Sequence, residues 1–81
     1  MNLADVKKGV EAIVVDVIDA YDQDPIARRL RELGFVAGEP IKVVARGLFG
    51  GNPLVVQVGT TRFALRKKEA QRVHIQAEFV K

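Results

Sequence analysis

The apolar pattern changes period along this 81-residue chain, and each change predicts an element. Leu3 and Val6 stand one helical turn apart before Gly9, which predicts a short helical turn leading into a strand. From Val10, "VEAIVVDVIDAY" is β-branched on both faces until Asp16, and predicts a long strand buried on both sides for part of its length. The period then becomes helical. Ile26, Leu30 and Leu33 recur at spacings of four and three, with Ala27 beside them, while Arg28, Arg29, Arg31 and Glu32 fall off that stripe. Asp24 is placed to cap the free N–H groups of this helix, and Pro25 suits its first turn. Gly34 is a candidate left-handed stop, with Phe35 folding back on the last turn.

Beyond Gly34 the pattern alternates between short strands and turns. "IKVVAR" predicts a strand with Ile41, Val43 and Ala45 on one face, and "GLFGGNP" a flexible glycine-rich loop. "LVVQV", "GT" and "TRFAL" predict a hairpin with a tight turn. "RKKEAQR" allows one helical turn. "VHIQAEF" closes the chain as a strand, with Val73, Ile75 and Ala77 on one face and His74, Gln76 and Glu78 on the other. Five short strands are too few for a sandwich, and a small sheet must cover its edges. The expected fold is mainly β: a small SH3-like barrel of about five strands with one short inserted helix across an opening. Residues 1–81 are expected to form this single domain.

Composition narrows the chemistry. The chain has no cysteine and no serine, which removes disulfides, zinc ribbons and the two commonest hydroxyl or thiol nucleophiles. No enzyme activity is expected. No signal-peptide pattern and no apolar run of membrane-spanning length are present, so a soluble, cytoplasmic protein is expected. The net charge of +3 is uneven. Residues 1–24 carry six acids and two lysines, giving −4, and the remaining residues carry eleven Lys/Arg and four acids, giving +7. Such a split fits either an acidic partner or two faces attracting each other within the fold.

No constellation for metal or phosphate is expected. The single histidine, His74, has no cysteine and few converging carboxylates to join it. Asp19, Asp22 and Asp24 cluster without the glycine of a calcium loop, so they offer at most an adventitious cation site. "GLFGGNP" runs into a proline and a strand, not into a helix N-terminus, so it is not a phosphate loop. No cofactor is expected. Arg28, Arg29 and Arg31 with Arg66, Lys67, Lys68 and Arg72 form a possible basic stripe, yet the aromatics that single-strand nucleic-acid binders interleave are few. Nucleic acid is the lesser reading. Leu48 and Phe49 stand in a glycine-flanked loop where polar residues are expected; they either plug a barrel end or serve as apolar anchors for a partner.

The segments "RRLRELGFVAGEPIKV" (28–43) and "GTTRFALRKKEA" (59–70) closely resemble FeoA-type proteins, and the likeness extends over nearly the whole chain. That resemblance implies a small cytosolic SH3-like barrel acting in bacterial ferrous iron uptake. It implies FeoB, a membrane iron transporter with a cytosolic GTPase domain, as the partner. The same domain type also occurs in metal-dependent repressors of the DtxR kind, which implies an alternative regulatory role. "DVIDAYDQD" departs from the family by being acidic, where small and glycine-rich residues are usual. The expected partner-binding residues are Arg28, Arg29, Arg31, Leu48 and Phe49, and weak self-association through an open sheet edge is a further expectation.

Overall fold

A computed structural model describes residues 1–77, apart from the side chains of Phe49 and Ala77. A 3₁₀ turn, Leu3–Asp5, opens the chain and is capped by the Asn2 side chain, which accepts the Ala4 N–H at 2.9 Å. Strand β1 (Glu11–Val17) follows, then helix α1 (Pro25–Leu33), β2 (Pro40–Phe49), β3 (Asn52–Val58), β4 (Thr61–Leu65), the single helical turn α2 (Lys67–Ala70) and β5 (Val73–Ala77). The strands form one antiparallel sheet in the order β4-β3-β2-β1-β5. This is the expected SH3-like arrangement with its inserted helix. The terminal strands β4 and β5 do not pair; α2 spans the gap between them. The last two residues of the expected "VHIQAEF" strand, Glu78 and Phe79, lie outside the described residues.

The core is aliphatic and lies on the inner face of the curled sheet. Val14, Val43, Leu54, Val56 and Val73 are fully buried, and Leu3 and Phe35 close it from the ends. Each buried Val, Leu or Phe contributes about 1.5–3 kcal/mol through removal from water. Phe35 meets Phe63 with ring centroids 5.3 Å apart and planes tilted by 54°, within the favoured range for aromatic pairs.

Three expectations are corrected. First, β1 ends at Val17 and buries one face only: Ala12, Val14 and Val17 point inward, Ile13 is half-buried, and Val15 and Ile18 are exposed. A register shift between Val14 and Asp16 leaves Val15 unpaired and moves the inward alternation from Val14 to Val17, while pairing with β5 resumes at Asp16 and Val17, so the run of β-branched residues does not continue as a doubly buried strand. Second, the inward stripe of α1 is Ala27 and Leu30, with Ile26 at its margin; Leu33 is exposed. Gly34 (φ 111°) ends the helix in a Schellman motif: its N–H donates to the Arg31 carbonyl at 3.2 Å, and the Phe35 N–H donates to the Leu30 carbonyl at 3.1 Å. The reversal brings Phe35, not Leu33, under the helix beside Leu30.

Third, the hairpin loop expected over "GLFGGNP" shrinks to Gly50 and Gly51, and the rest of the stretch is strand. Strand β2 runs on to Phe49, which pairs with Asn52 across the two-residue turn Gly50-Gly51. Both glycines have positive φ, 65° and 79°, as the favoured two-residue hairpin turn demands. The register shifts between Arg46 and Phe49, forming an irregularity at Gly47 and Leu48. Gly47 approaches Asn52 so closely that a Cβ there would lie 2.0 Å from the Asn52 carbonyl oxygen.

Candidate partner-docking surface

The β2–β3 hairpin tip carries the most exposed large apolar side chain described in the protein. Leu48 is 96% exposed. It does not plug the barrel, because the shift at Gly47 turns this stretch of β2 out of the inner-face register. The Phe49 side chain, its expected companion, lies outside the described residues. Beneath the tip, the Arg46 guanidinium donates to the Ala4 and Val6 carbonyls at 2.7 and 2.6 Å. A Cβ on Gly51 would meet Arg46 Nη1 at 2.9 Å. Arg46 therefore packs between the turn and the N-terminal segment, and anchors the base of the tip to the body of the fold. Nothing local in "VVARG" signals this, because both acceptors are backbone carbonyls some forty positions away.

The three helix arginines divide. Arg28 and Arg29 are exposed, and their side chains make no hydrogen bond or ion pair among the described residues, although the Arg28 backbone N–H donates to the Asp24 carbonyl at 3.1 Å. Arg31 is held against the sheet: its Nη2 donates to the Val17 carbonyl at 2.7 Å and to Asp19 Oδ1 at 2.6 Å. Arg31 is thus part of the joint between α1 and the end of β1, although its side chain remains 45% exposed.

A second joint lies deeper. Asp24, 1% exposed, accepts the Ile26 N–H at 3.0 Å, the Ala27 N–H at 3.4 Å and the Ala20 N–H at 2.9 Å. It also receives the Arg72 Nε–H at 2.5 Å. Burial pushes this carboxyl up, but the Arg72 guanidinium and the three backbone N–H groups outweigh it and bring it down to about 2. Arg72 also donates to the Lys68 carbonyl at 2.6 Å. The two ends of the charge split thus meet within one fold: Asp24 with Arg72 in a buried pair and Asp19 with Arg31 in a half-exposed one, while Asp16 and His74 face each other at 3.9 Å on the exposed surface.

These pairs dispose of the cation site considered for "DAYDQD", since two of its three carboxylates face guanidinium groups. They also take Arg31 and Arg72 out of the basic stripe, leaving Arg28, Arg29, Arg66, Lys67 and Lys68. Among the described residues no group of three or more His, Asp or Glu side chains is arranged to hold a metal ion. His74 is half-exposed on the outer face of β5, with Gln76 also exposed and Glu78 beyond the described residues. No described helix is long and apolar enough to cross a membrane.

The fold and its surface thus define a class: a small SH3-like barrel whose conspicuous features are an exposed apolar tip and free helix arginines. The FeoA domain model matches residues 1–77, and the chain belongs to the FeoA family, which is associated with ferrous iron transport. The crystal structure of FeoA from Stenotrophomonas maltophilia in complex with zinc is 54% identical, with a TM-score of 0.88 over 94% of this chain and 89% of that one. FeoA from Chlorobium tepidum is 30% identical, with a TM-score of 0.80 over 95% of this chain and 70% of that one. A manganese-dependent transcriptional repressor bound to manganese shares the fold, at 22% identity and a TM-score of 0.80 over 96% of this chain and 36% of that one. No curated protein matches the chain in sequence.

Proposed function

We propose that this protein is a cytoplasmic accessory protein of bacterial ferrous iron uptake that docks onto the cytosolic part of a FeoB-like GTPase transporter and influences its assembly, gating or GTPase cycling. The observation that carries the docking reading is Leu48, 96% exposed at the end of a hairpin whose base is anchored by Arg46. A hairpin anchored at its base loses little backbone freedom when a pocket closes over the apolar side chain at its tip, and a few such anchors supply most of an interface's energy. The Arg28 and Arg29 side chains, without partners among the described residues, add contacts to an acidic surface. Their attraction is screened by salt, because both lie in solvent.

The test is a calorimetric titration of the purified cytosolic part of a FeoB-type transporter from the same cell into the full chain. Saturable one-to-one binding that weakens as salt rises supports the proposal. Absence of binding in low and moderate salt, with and without guanine nucleotide, overturns it.

A further inference from the structure

The two edges of the sheet are treated differently. The outer edge of β5 is occupied by the start of the chain: the Ile75 N–H donates to the Met1 carbonyl at 3.0 Å, and Asn2 bridges to His74. Strand β4 has no such cover. Among the described residues, no backbone hydrogen bond joins Thr61–Leu65 to anything except β3. An uncovered edge strand is a template on which another strand can be laid.

Beside this edge lies a groove between β4 and α1, with a volume of about 430 Å³. Its apolar lining comes from Ile26, Leu33, Phe63 and Leu65, and Arg29 and Glu69 stand on its rim. Leu33 is exposed here because Phe35 occupies the place beneath the helix. Side chains of β4 alternate in burial: Phe63 and Leu65 are half-buried and buried, whereas Arg62 and Ala64 are exposed, Ala64 at the margin of the groove. A strand added to β4 would alternate likewise. Its inner side chains would sit beside Phe63 and under the α1 margin, and its outer ones beside Arg62.

Charge selects the occupant. Arg29 is unpaired among the described residues, and Arg62 donates only to the neutral Gln57 side chain at 3.2 Å. The nearby Glu69 uses Oε1 to accept the Arg66 N–H at 2.7 Å. A second copy of β4, "TRFAL", carries no acidic side chain and so brings no counter-charge for Arg62 or Arg29. We propose that the β4 edge takes an extended acidic segment of a partner protein as a sixth strand, its alternate apolar side chains seated in the groove between β4 and α1. This site is distinct from the Leu48 tip and does not depend on the transporter reading.

The test uses a capped seven-residue peptide of alternating Glu and Val, titrated into the ¹⁵N-labelled full chain. The expected result is a set of amide shifts centred on Thr61–Leu65 and the Ile26–Leu33 face, with slowed hydrogen exchange in β4. Arg29→Glu/Arg62→Glu should weaken binding at least tenfold, and so should N-methylation of alternate peptide residues on the ladder-facing side. Three results would overturn the proposal: no shifts at millimolar peptide, equal binding of the Lys-for-Glu peptide, or β4 shifts indifferent to N-methylation. Concentration-dependent β4 shifts without peptide would assign the edge to a second copy, and overturn it as well.

Discussion

Asp24 and Arg72 are 48 positions apart in the chain and 2.5 Å apart in the fold. One carboxylate caps α1, closes the turn at Ala20 and grips the residue that begins the approach to β5. The inserted helix is thereby fastened to the far edge of the sheet as well as to its own neighbours. Removing either partner leaves the other charged group largely buried without compensation, which is more damaging than losing an exposed pair.

This joint should give the protein a defined acid limit. The folded carboxyl lies at about 2, below the unfolded aspartate value of about 3.9. A lowered pKa means that the unfolded state binds the proton first as pH falls. The stabilisation is therefore complete above about pH 4 and is lost progressively between about pH 4 and pH 2. Urea unfolding at pH 6, 4, 3 and 2 should show the wild type losing stability across that window. Asp24→Asn should start lower and have a shallower dependence there. Equal pH slopes for the two proteins would contradict the assignment.

The face of α1 is tested by two leucines. Leu30 is 3% exposed and Leu33 is 39% exposed. Leu30→Ala should cost about 2–5 kcal/mol, a large share of a small domain's stability. Leu33→Ala should change stability by within about 0.5 kcal/mol, as an exposed substitution away from the core. Chemical denaturation of both variants decides it, and equal losses would mean that the helix is rotated.

The hairpin tip rests on Gly47. Its Cβ would fall 2.0 Å from the Asn52 carbonyl oxygen, on backbone that the β2–β3 ladder fixes. Gly47→Ala should therefore destabilise by about 1–3 kcal/mol, the range for forced overpacking. Amide shifts should concentrate at residues 46–52. A neutral effect would show that the irregularity at Gly47 and Leu48 is absent.

Much of this architecture was legible where it depends on neighbours in the chain. Asp24, Pro25, Gly34 and Phe35 announce the start and stop of α1 because capping is a matter of a few adjacent N–H and carbonyl groups. Strand β4 is legible from its flanking Gly-Thr turn and the alternation in "TRFAL". The errors arise where distant residues decide. Leu33 has the right spacing for the core, yet Phe35 takes the place, and only the tertiary fold chooses between them. The pairings of Arg72 and Arg46 carry no local signature, because their partners lie tens of positions away. At the candidate site, the glycines mark the tip. Whether Leu48 turns in or out depends on the register of β2 against β3, which is set by pairing and not by composition.

The central claim is that Leu48 is a docking anchor and not a structural residue. The most direct test measures the Tm of Leu48→Ser together with its Kd for the cytosolic part of a FeoB-type transporter. With the side chain 96% exposed, the Tm should stay within about 2 °C of wild type. The affinity should fall at least tenfold, about 1.4 kcal/mol or more. A Tm drop as large as that of Leu30→Ala, or an unchanged Kd, would contradict the account.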